Sequence, residues 1–126
     1  MPITSHIDET KKLTVFKATT VLRYDEIISA VKSFYEGQPT GNVLWDLTEI
    51  TEIHLTSKQV ERIVDFDLRY EGTRPKGKTA LVALKDEAFG LSRMFGTLSE
   101  IKKIPFQLSI FRQMEEAYQW LSEEDL

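Results

Sequence analysis

Apolar and polar positions follow two different periods along the chain, and the order of these periods predicts an α/β fold. Period-2 alternation, typical of strands, covers residues 3–8 and 12–22. The second of these runs carries apolar residues on both faces, which indicates a strand inside a sheet that is covered on both sides. Short apolar runs at 42–47 and 79–84 and an alternating run at 106–111 predict three more strands.

Apolar residues at helical spacing predict four helices between and after these strands. The first covers residues 24–36, and the second begins at a capping box in which Thr56 is the N-cap and Gln59 its partner. The third, 86 to about 103, has more apolar surface than one sheet face requires, and a closing helix covers 114–121. Alternating strands and helices with short connections imply right-handed crossovers and a largely parallel sheet, with the first strand antiparallel.

Length and composition limit the possible chemistry. The 126 residues correspond to a single domain, 1–126, and contain no cysteine, which excludes disulfide scaffolds, cysteine zinc sites and iron–sulfur clusters. Two histidines, His6 and His54, leave little for a metal site, so we expect no metal and no cofactor. A net charge of −4 argues against nucleic acid or an anionic membrane as partner. Without a targeting signal or an integral membrane segment, the expected location is cytoplasmic.

Three stretches resemble one known family. They are the strand and loop 43–53 with its Asp46-Leu47 pair, Arg93-Met94-Phe95 in the third helix, and Phe111-Arg112 followed by 116–121 near the end. These are similar to the STAS fold of anti-sigma-factor antagonists, specifically its SpoIIAA-like branch, which is related in shape to lipid-binding Sec14/CRAL-TRIO domains. The resemblance implies a mostly parallel five-stranded sheet with an antiparallel N-terminal strand and four helices.

The chain departs from this family at its regulatory loop. Anti-sigma-factor antagonists carry a phosphorylated serine just before the second helix, whereas the matching stretch here is His54-Leu55-Thr56-Ser57. Leu55 stands at the position of the serine and has no hydroxyl. We therefore predict that the usual serine phosphoswitch is absent and that Thr56 acts as a helix cap.

The sequence gives little support to an enzyme. Glycine-rich nucleotide loops and the G-x-S-x-G elbow are absent. Asp46, His54 and a hydroxyl of Thr56 or Ser57 form a conceivable hydrolase triad, but no spacing brings that hydroxyl to the imidazole. We predict no catalytic residues. A basic segment at 69–78 has two interpretations, a site for a phosphate or an acidic partner and a solvated turn, of which we favour the turn.

Two functions remain, and both use the same candidate residues. The first is a non-catalytic regulatory or protein-interaction domain, whose partner is another protein or a second copy in a homodimer. The alternative is a binding module for a small apolar or lipid-like ligand held under the third helix. The candidate ligand or partner surface comprises Asp46, His54, Leu55, Thr56, Ser57, Phe89, Met94 and Phe95.

Overall fold

The computed structural model describes residues 3–70 and 72–123. Within these residues, five strands and four helices follow one another in the predicted order. In chain order the elements are β1 (Ile3–Asp8), β2 (Leu13–Arg23), α1 (Tyr24–Glu36), β3 (Asn42–His54), α2 (Ser57–Arg69), β4 (Lys78–Val82), α3 (Asp86–Ile101), β5 (Gln107–Phe111) and α4 (Met114–Ser122).

The five strands form one mixed sheet in the order β1-β2-β3-β4-β5. Strand β1 is antiparallel to β2, and every other neighbouring pair is parallel, which confirms the predicted fold class. Because the spatial order follows the chain order, right-handed crossovers place α1, α2 and α3 on the same face of the sheet. Helix α4 packs on the opposite face, against β3, β4 and β5.

Side-chain alternation along the central strands divides the interior into two cores. On β3, Leu44 belongs to the cluster under α4, while Trp45 and Leu47 belong to the cluster under α1–α3. On β2, Leu13 contributes to the α4 cluster and Leu22 to the other. The sheet is therefore covered on both faces, as the two apolar faces of β2 predict.

Strand β3 is longer than its apolar run indicates. The predicted strand ends at residue 47, whereas β3 continues to His54 and stays paired with β2 up to Arg23. Pairing of β3 with β4 ends at Asp46 and Val82, so the β2–β3 ribbon extends past the rest of the sheet. Two register shifts interrupt this pairing, each with one extra residue on β3, and the second lies next to Thr20 of β2, which has a φ of 65°.

Candidate functional site

An apolar cavity of about 90 Å³ lies between the sheet and helices α1–α3. Apolar side chains from β2, β3 and all three helices form most of its wall. On the sheet side, the rings of Phe16 and Trp45 stack with their centroids 4.4 Å apart, and Phe34 of α1 packs edge-on against Phe16 at 5.9 Å. Aromatic pairs at these separations hold one another in place. The wall facing β2 and β3 is therefore a fixed aromatic surface.

The start of α2 closes one side of the cavity. Thr56 Oγ1 accepts a hydrogen bond of 3.1 Å from the Gln59 amide, and the Thr56 amide donates one of 3.0 Å to Gln59 Oε1. This confirms the predicted capping box. Leu55 and Val60 flank the box in the positions of a hydrophobic staple, and both line the cavity. The sequence signal that begins the helix thus also places two apolar side chains in the wall.

Three polar side chains lie at the other end of the cavity, near the amino ends of β3 and β4. Tyr35 comes from the last turn of α1, Asp67 from α2 and Arg74 from the loop before β4. The Tyr35 hydroxyl donates a hydrogen bond of 3.0 Å to Asp67 Oδ1. Arg74 lies close enough for its charge to act on both partners, yet no ion pair joins Asp67 and Arg74 among the described residues.

Arg74 is held by the backbone around it. Its Nη2 donates to the carbonyl oxygens of Gly41 at 2.8 Å and Lys78 at 3.1 Å, and to Thr79 Oγ1 at 2.9 Å. The guanidinium also lies over the ring of Phe106, 4.1 Å from its centroid. Such contacts fix a planar guanidinium in both position and orientation.

Close packing of two backbone segments allows this arrangement. Gly41, before β3, and Gly77, before β4, pass so near one another that a Cβ on either residue would collide with the backbone of the opposite segment. Glycine at both positions therefore lets the loop that carries Arg74 lie against the amino end of β3.

Burial changes the acidity of the polar group. Desolvation raises the pKa of Asp67 to about 6, although the hydrogen bond from Tyr35 and the charge of Arg74 act in the opposite direction. Burial and the charge of Asp67 raise the pKa of Tyr35, while Arg74 lowers it. Burial also lowers the pKa of Arg74, whose guanidinium nevertheless stays protonated at neutral pH. At this end of the cavity, Asp67 is thus an anionic hydrogen-bond acceptor and Arg74 a cationic donor.

Of the predicted candidate residues, the structure places Leu55 and Phe95 in the cavity wall. Phe89 is partly buried, and the Arg112 guanidinium lies 4.1 Å from its ring centroid. Met94, on the outer side of α3, is 38% exposed. The predicted apolar excess of the third helix is thus divided between the cavity and the surface.

The polar candidates have separate contacts. Asp46 Oδ1 accepts hydrogen bonds from Thr48, 3.0 Å from the amide and 2.6 Å from Oγ1. His54 Nε2 lies 2.7 Å from the Glu52 carboxylate, and its Nδ1 is 3.2 Å from a nitrogen of Arg23. Thr56 caps α2, and Ser57 is exposed at the first helical position. None of these contacts among the described residues joins Asp46, His54 and a hydroxyl into a relay.

The basic segment at 69–78 agrees with the predicted solvated turn only in part. Residues 72, 73, 75 and 76 are exposed, whereas Arg74 and Lys78 point inward. Lys78 is 6% exposed, and its Nζ donates to the carbonyl oxygens of Trp120 at 2.9 Å and Glu123 at 2.7 Å. Arg74 and Lys78 thus donate hydrogen bonds to backbone carbonyls of neighbouring segments. The sequence of the turn alone does not predict these contacts.

Tyr35 and Asp67 are not among the predicted site residues, and Arg74 is covered only by the less favoured interpretation of segment 69–78. The sequence does contain a signal for Asp67. Asp67 follows Val60 and Ile63 at spacings of seven and four residues, so it falls on the apolar stripe of α2. A carboxylate on a core-facing stripe requires a buried partner. Tyr35 lies on the corresponding stripe of α1 and supplies that partner.

Over residues 3–70 and 72–123, no cluster of histidine, aspartate and glutamate has the arrangement of a metal site. Among the same residues, no helix is both long and apolar enough to cross a membrane.

Comparison with known proteins identifies the fold. No protein-family model matches the chain, and no curated protein does. A crystal structure of an uncharacterized protein from the DUF3478 family, from Shewanella loihica PV-4, is similar with a TM-score of 0.59 and 18% identity over 95% of this chain and 94% of that one. That protein is described as having a SpoIIAA-like fold. The resemblance in the sequence is confirmed at the level of fold: this chain has a SpoIIAA-like, STAS-type fold.

Proposed function

We propose that this chain is a non-catalytic STAS-type domain that binds a small apolar molecule in the cavity beneath α1–α3. One observation carries the proposal: an apolar cavity of about 90 Å³ that ends in the polar group Tyr35, Asp67 and Arg74. The space is partly open to solvent, so a small molecule can enter it, and concave apolar sites with a few placed polar groups are where proteins bind small ligands. The volume is of the same order as an engineered cavity of about 150 Å³ that binds benzene.

The lining fits an apolar occupant. Rings of Phe16, Trp45 and Phe95 face the space from the sheet and from α3. Transfer of an apolar molecule from water into such surroundings is favourable by roughly 25 cal/mol per Å² of apolar surface removed from water. Binding sites for small molecules combine this kind of wall with a few placed polar groups. The lining therefore suits a small apolar molecule.

The two tryptophans provide a direct test. Trp45 lines the cavity, whereas Trp120 lies in the core on the opposite face of the sheet. A Trp120→Phe variant keeps Trp45 as its one tryptophan. Titration of this variant with toluene should change the Trp45 emission along a saturating curve.

A matched pair of further substitutions makes the test specific. Ser92 is buried and lines the cavity, so Ser92→Leu fills part of the space and should abolish the saturating change. Met94→Leu alters the exposed side of the same helix and should leave it intact. Equal responses from these two variants, or a strictly linear response in Trp120→Phe itself, would contradict the proposed function.

A second candidate function is protein interaction through the outer side of α3 and its surroundings. Large apolar side chains are exposed there, with Leu84 at 51%, Met94 at 38% and Ile101 at 68% exposure. Large apolar side chains exposed on a helix favour contact with another protein, and two-fold homodimers are the commonest oligomers. This observation supports a homodimer as the second candidate, and the two functions use different sides of α3.

A further inference from the structure

We infer that the cavity selects a neutral apolar molecule carrying one hydroxyl group, which donates a hydrogen bond to Asp67 and accepts one from Arg74. The inference rests on the proposed function and adds the chemical class of the ligand to it. It depends on the two side chains of opposite charge, Asp67 and Arg74, that line one end of the cavity.

Asp67 has acceptor capacity left for a ligand. Its carboxylate offers about four lone-pair positions, and within the described residues it accepts one hydrogen bond, from Tyr35 to Oδ1. The same side chain forms part of the cavity wall. A hydroxyl proton arriving from the cavity therefore meets an acceptor that is already held in place by α1.

Arg74 supplies the matching donor. Its hydrogen bonds to described residues use Nε and Nη2, which both reach Gly41, with Nη2 also bonding Lys78 and Thr79. The guanidinium also hydrogen-bonds the Tyr35 side chain. Because a guanidinium has five N–H groups, one donor remains beyond these bonds. Because the side chain lines the cavity, a ligand oxygen near Asp67 is within the field of this cation.

The balance of charge decides which head group fits. A carboxylate or phosphate on the ligand is attracted by Arg74 and repelled by Asp67. An ammonium group is attracted by Asp67 and repelled by Arg74. In either case the ligand brings a third charge into a poorly solvated site, which is unfavourable. A hydroxyl is neutral and both donates and accepts. It can therefore satisfy Asp67 and Arg74 together, as the Tyr35 hydroxyl beside them also does.

Isosteric ligands test the inference. Phenol and toluene have nearly the same shape and differ in the hydroxyl, while benzoate carries a charge. With Trp45 emission in the Trp120→Phe variant as readout, phenol should bind at least about tenfold more tightly than toluene, because a hydrogen bond to a buried charged group strengthens binding by this order. Benzoate should bind more weakly than phenol.

Two variants connect this preference to Asp67. Asp67→Asn keeps the shape but removes the charge, so the ratio of phenol to toluene affinity should fall severalfold. Tyr35→Phe removes the hydroxyl that competes for the same carboxylate, and the ratio should stay at least as large as in the parent protein. Circular dichroism of each variant, compared with the parent, verifies the fold.

The outcomes separate this inference from the proposed function. Saturable binding of toluene and phenol with equal affinity would overturn the inference and leave the proposed function standing. Tighter binding of benzoate than of phenol would also overturn it, since the site would then select an anion. Binding of none of the three would remove the proposed function, and the inference with it.

Discussion

The hydroxyl of Tyr35 and the carboxylate of Asp67 lie 3.0 Å apart and join the last turn of α1 to α2 at the polar end of the cavity. The bond does not compensate for burial, because the pKa of Asp67 is about 6 in the folded protein instead of the ordinary 3.8. The folded state therefore binds a proton more tightly at this site than the unfolded chain does.

This difference predicts a pH dependence of stability with an unusual sign for an aspartate. Between about pH 4 and pH 6 the folded state carries more protons than the unfolded state at this site, so the contribution of Asp67 to stability falls as the pH rises. Asp67→Asn removes the ionisation. The free energy of unfolding at pH 8 should therefore increase by about 1–3 kcal/mol, with little change at pH 4.

Urea denaturation at the two pH values measures this effect. Asp65→Asn is the control on the same helix, since Asp65 pairs with Lys102 at 2.6 Å and its loss should not stabilise the protein at pH 8. A destabilised Asp67→Asn variant at pH 8 would show that the ionised carboxylate is favourable in the fold.

Thr56 is expected to act as a cap and not as a switch. Thr56→Ala removes the acceptor of the 3.1 Å bond from the Gln59 amide, and the free energy of unfolding should fall by about 1 kcal/mol. Toluene binding should persist, because the Thr56 hydroxyl is directed at the helix end. Ser57→Ala, one residue later on the exposed surface, serves as the comparison and should change stability by less than about 0.5 kcal/mol.

The predicted absence of a phosphoswitch has its own test. Mass spectrometry of the protein isolated from its native cell should find no phosphate on Thr56 or Ser57. Phosphate on either residue, accompanied by release of a partner, would restore the switch that Leu55 argues against.

Arg74 should not be replaceable by lysine. Arg74→Lys keeps the positive charge but cannot reach Gly41, Lys78 and Thr79 together with the planar geometry of a guanidinium. We expect a loss of about 2 kcal/mol or more in the free energy of unfolding, since buried carbonyl groups lose their donor. The exposed neighbour Lys76 provides the control, and Lys76→Arg should be nearly neutral. Equal stability of both variants would contradict the structural role assigned to Arg74.

If the protein forms a homodimer through α3, one substitution on that helix should halve the particle mass in solution. Light scattering at micromolar concentration should give twice the chain mass of 14.6 kDa for the parent protein and the single mass for Met94→Glu. Met94 is 38% exposed, so the glutamate does not disturb the interior. A parent protein that scatters as a monomer would remove this second candidate function.

Sequence patterns predict the helices and strands that local signals define. They do not predict features that depend on contacts between residues distant in the chain. The capping box at Thr56 is local, and the structure contains it. The extension of β3 to His54 depends on pairing with β2, which lies more than twenty residues earlier. The inward position of Arg74 depends in the same way on the close approach of Gly41 and Gly77. Neither the extension of β3 nor the inward position of Arg74 has a sequence signal within its own segment.

The same distinction applies to the candidate site. Leu55 was predicted from its place at the serine position of the resembling family and Phe95 from the apolar excess of the third helix, and both line the cavity. Asp46 and His54 were chosen for their chemistry at a strand end, and their contacts are with nearby chain segments. Asp67 was overlooked because a helix contains many carboxylates. Its position on the apolar stripe of α2, opposite Tyr35, distinguishes it.

Binding inside the cavity is the central claim, and a crystal soaked with bromobenzene tests it most directly. Anomalous scattering from bromine locates the ligand without reference to any assumed pose. The account predicts a single strong peak in the cavity, between the Phe16–Trp45 pair on the sheet and Phe95 on α3. An empty cavity, or bromine found only against Met94 and the exposed side of α3, would contradict it.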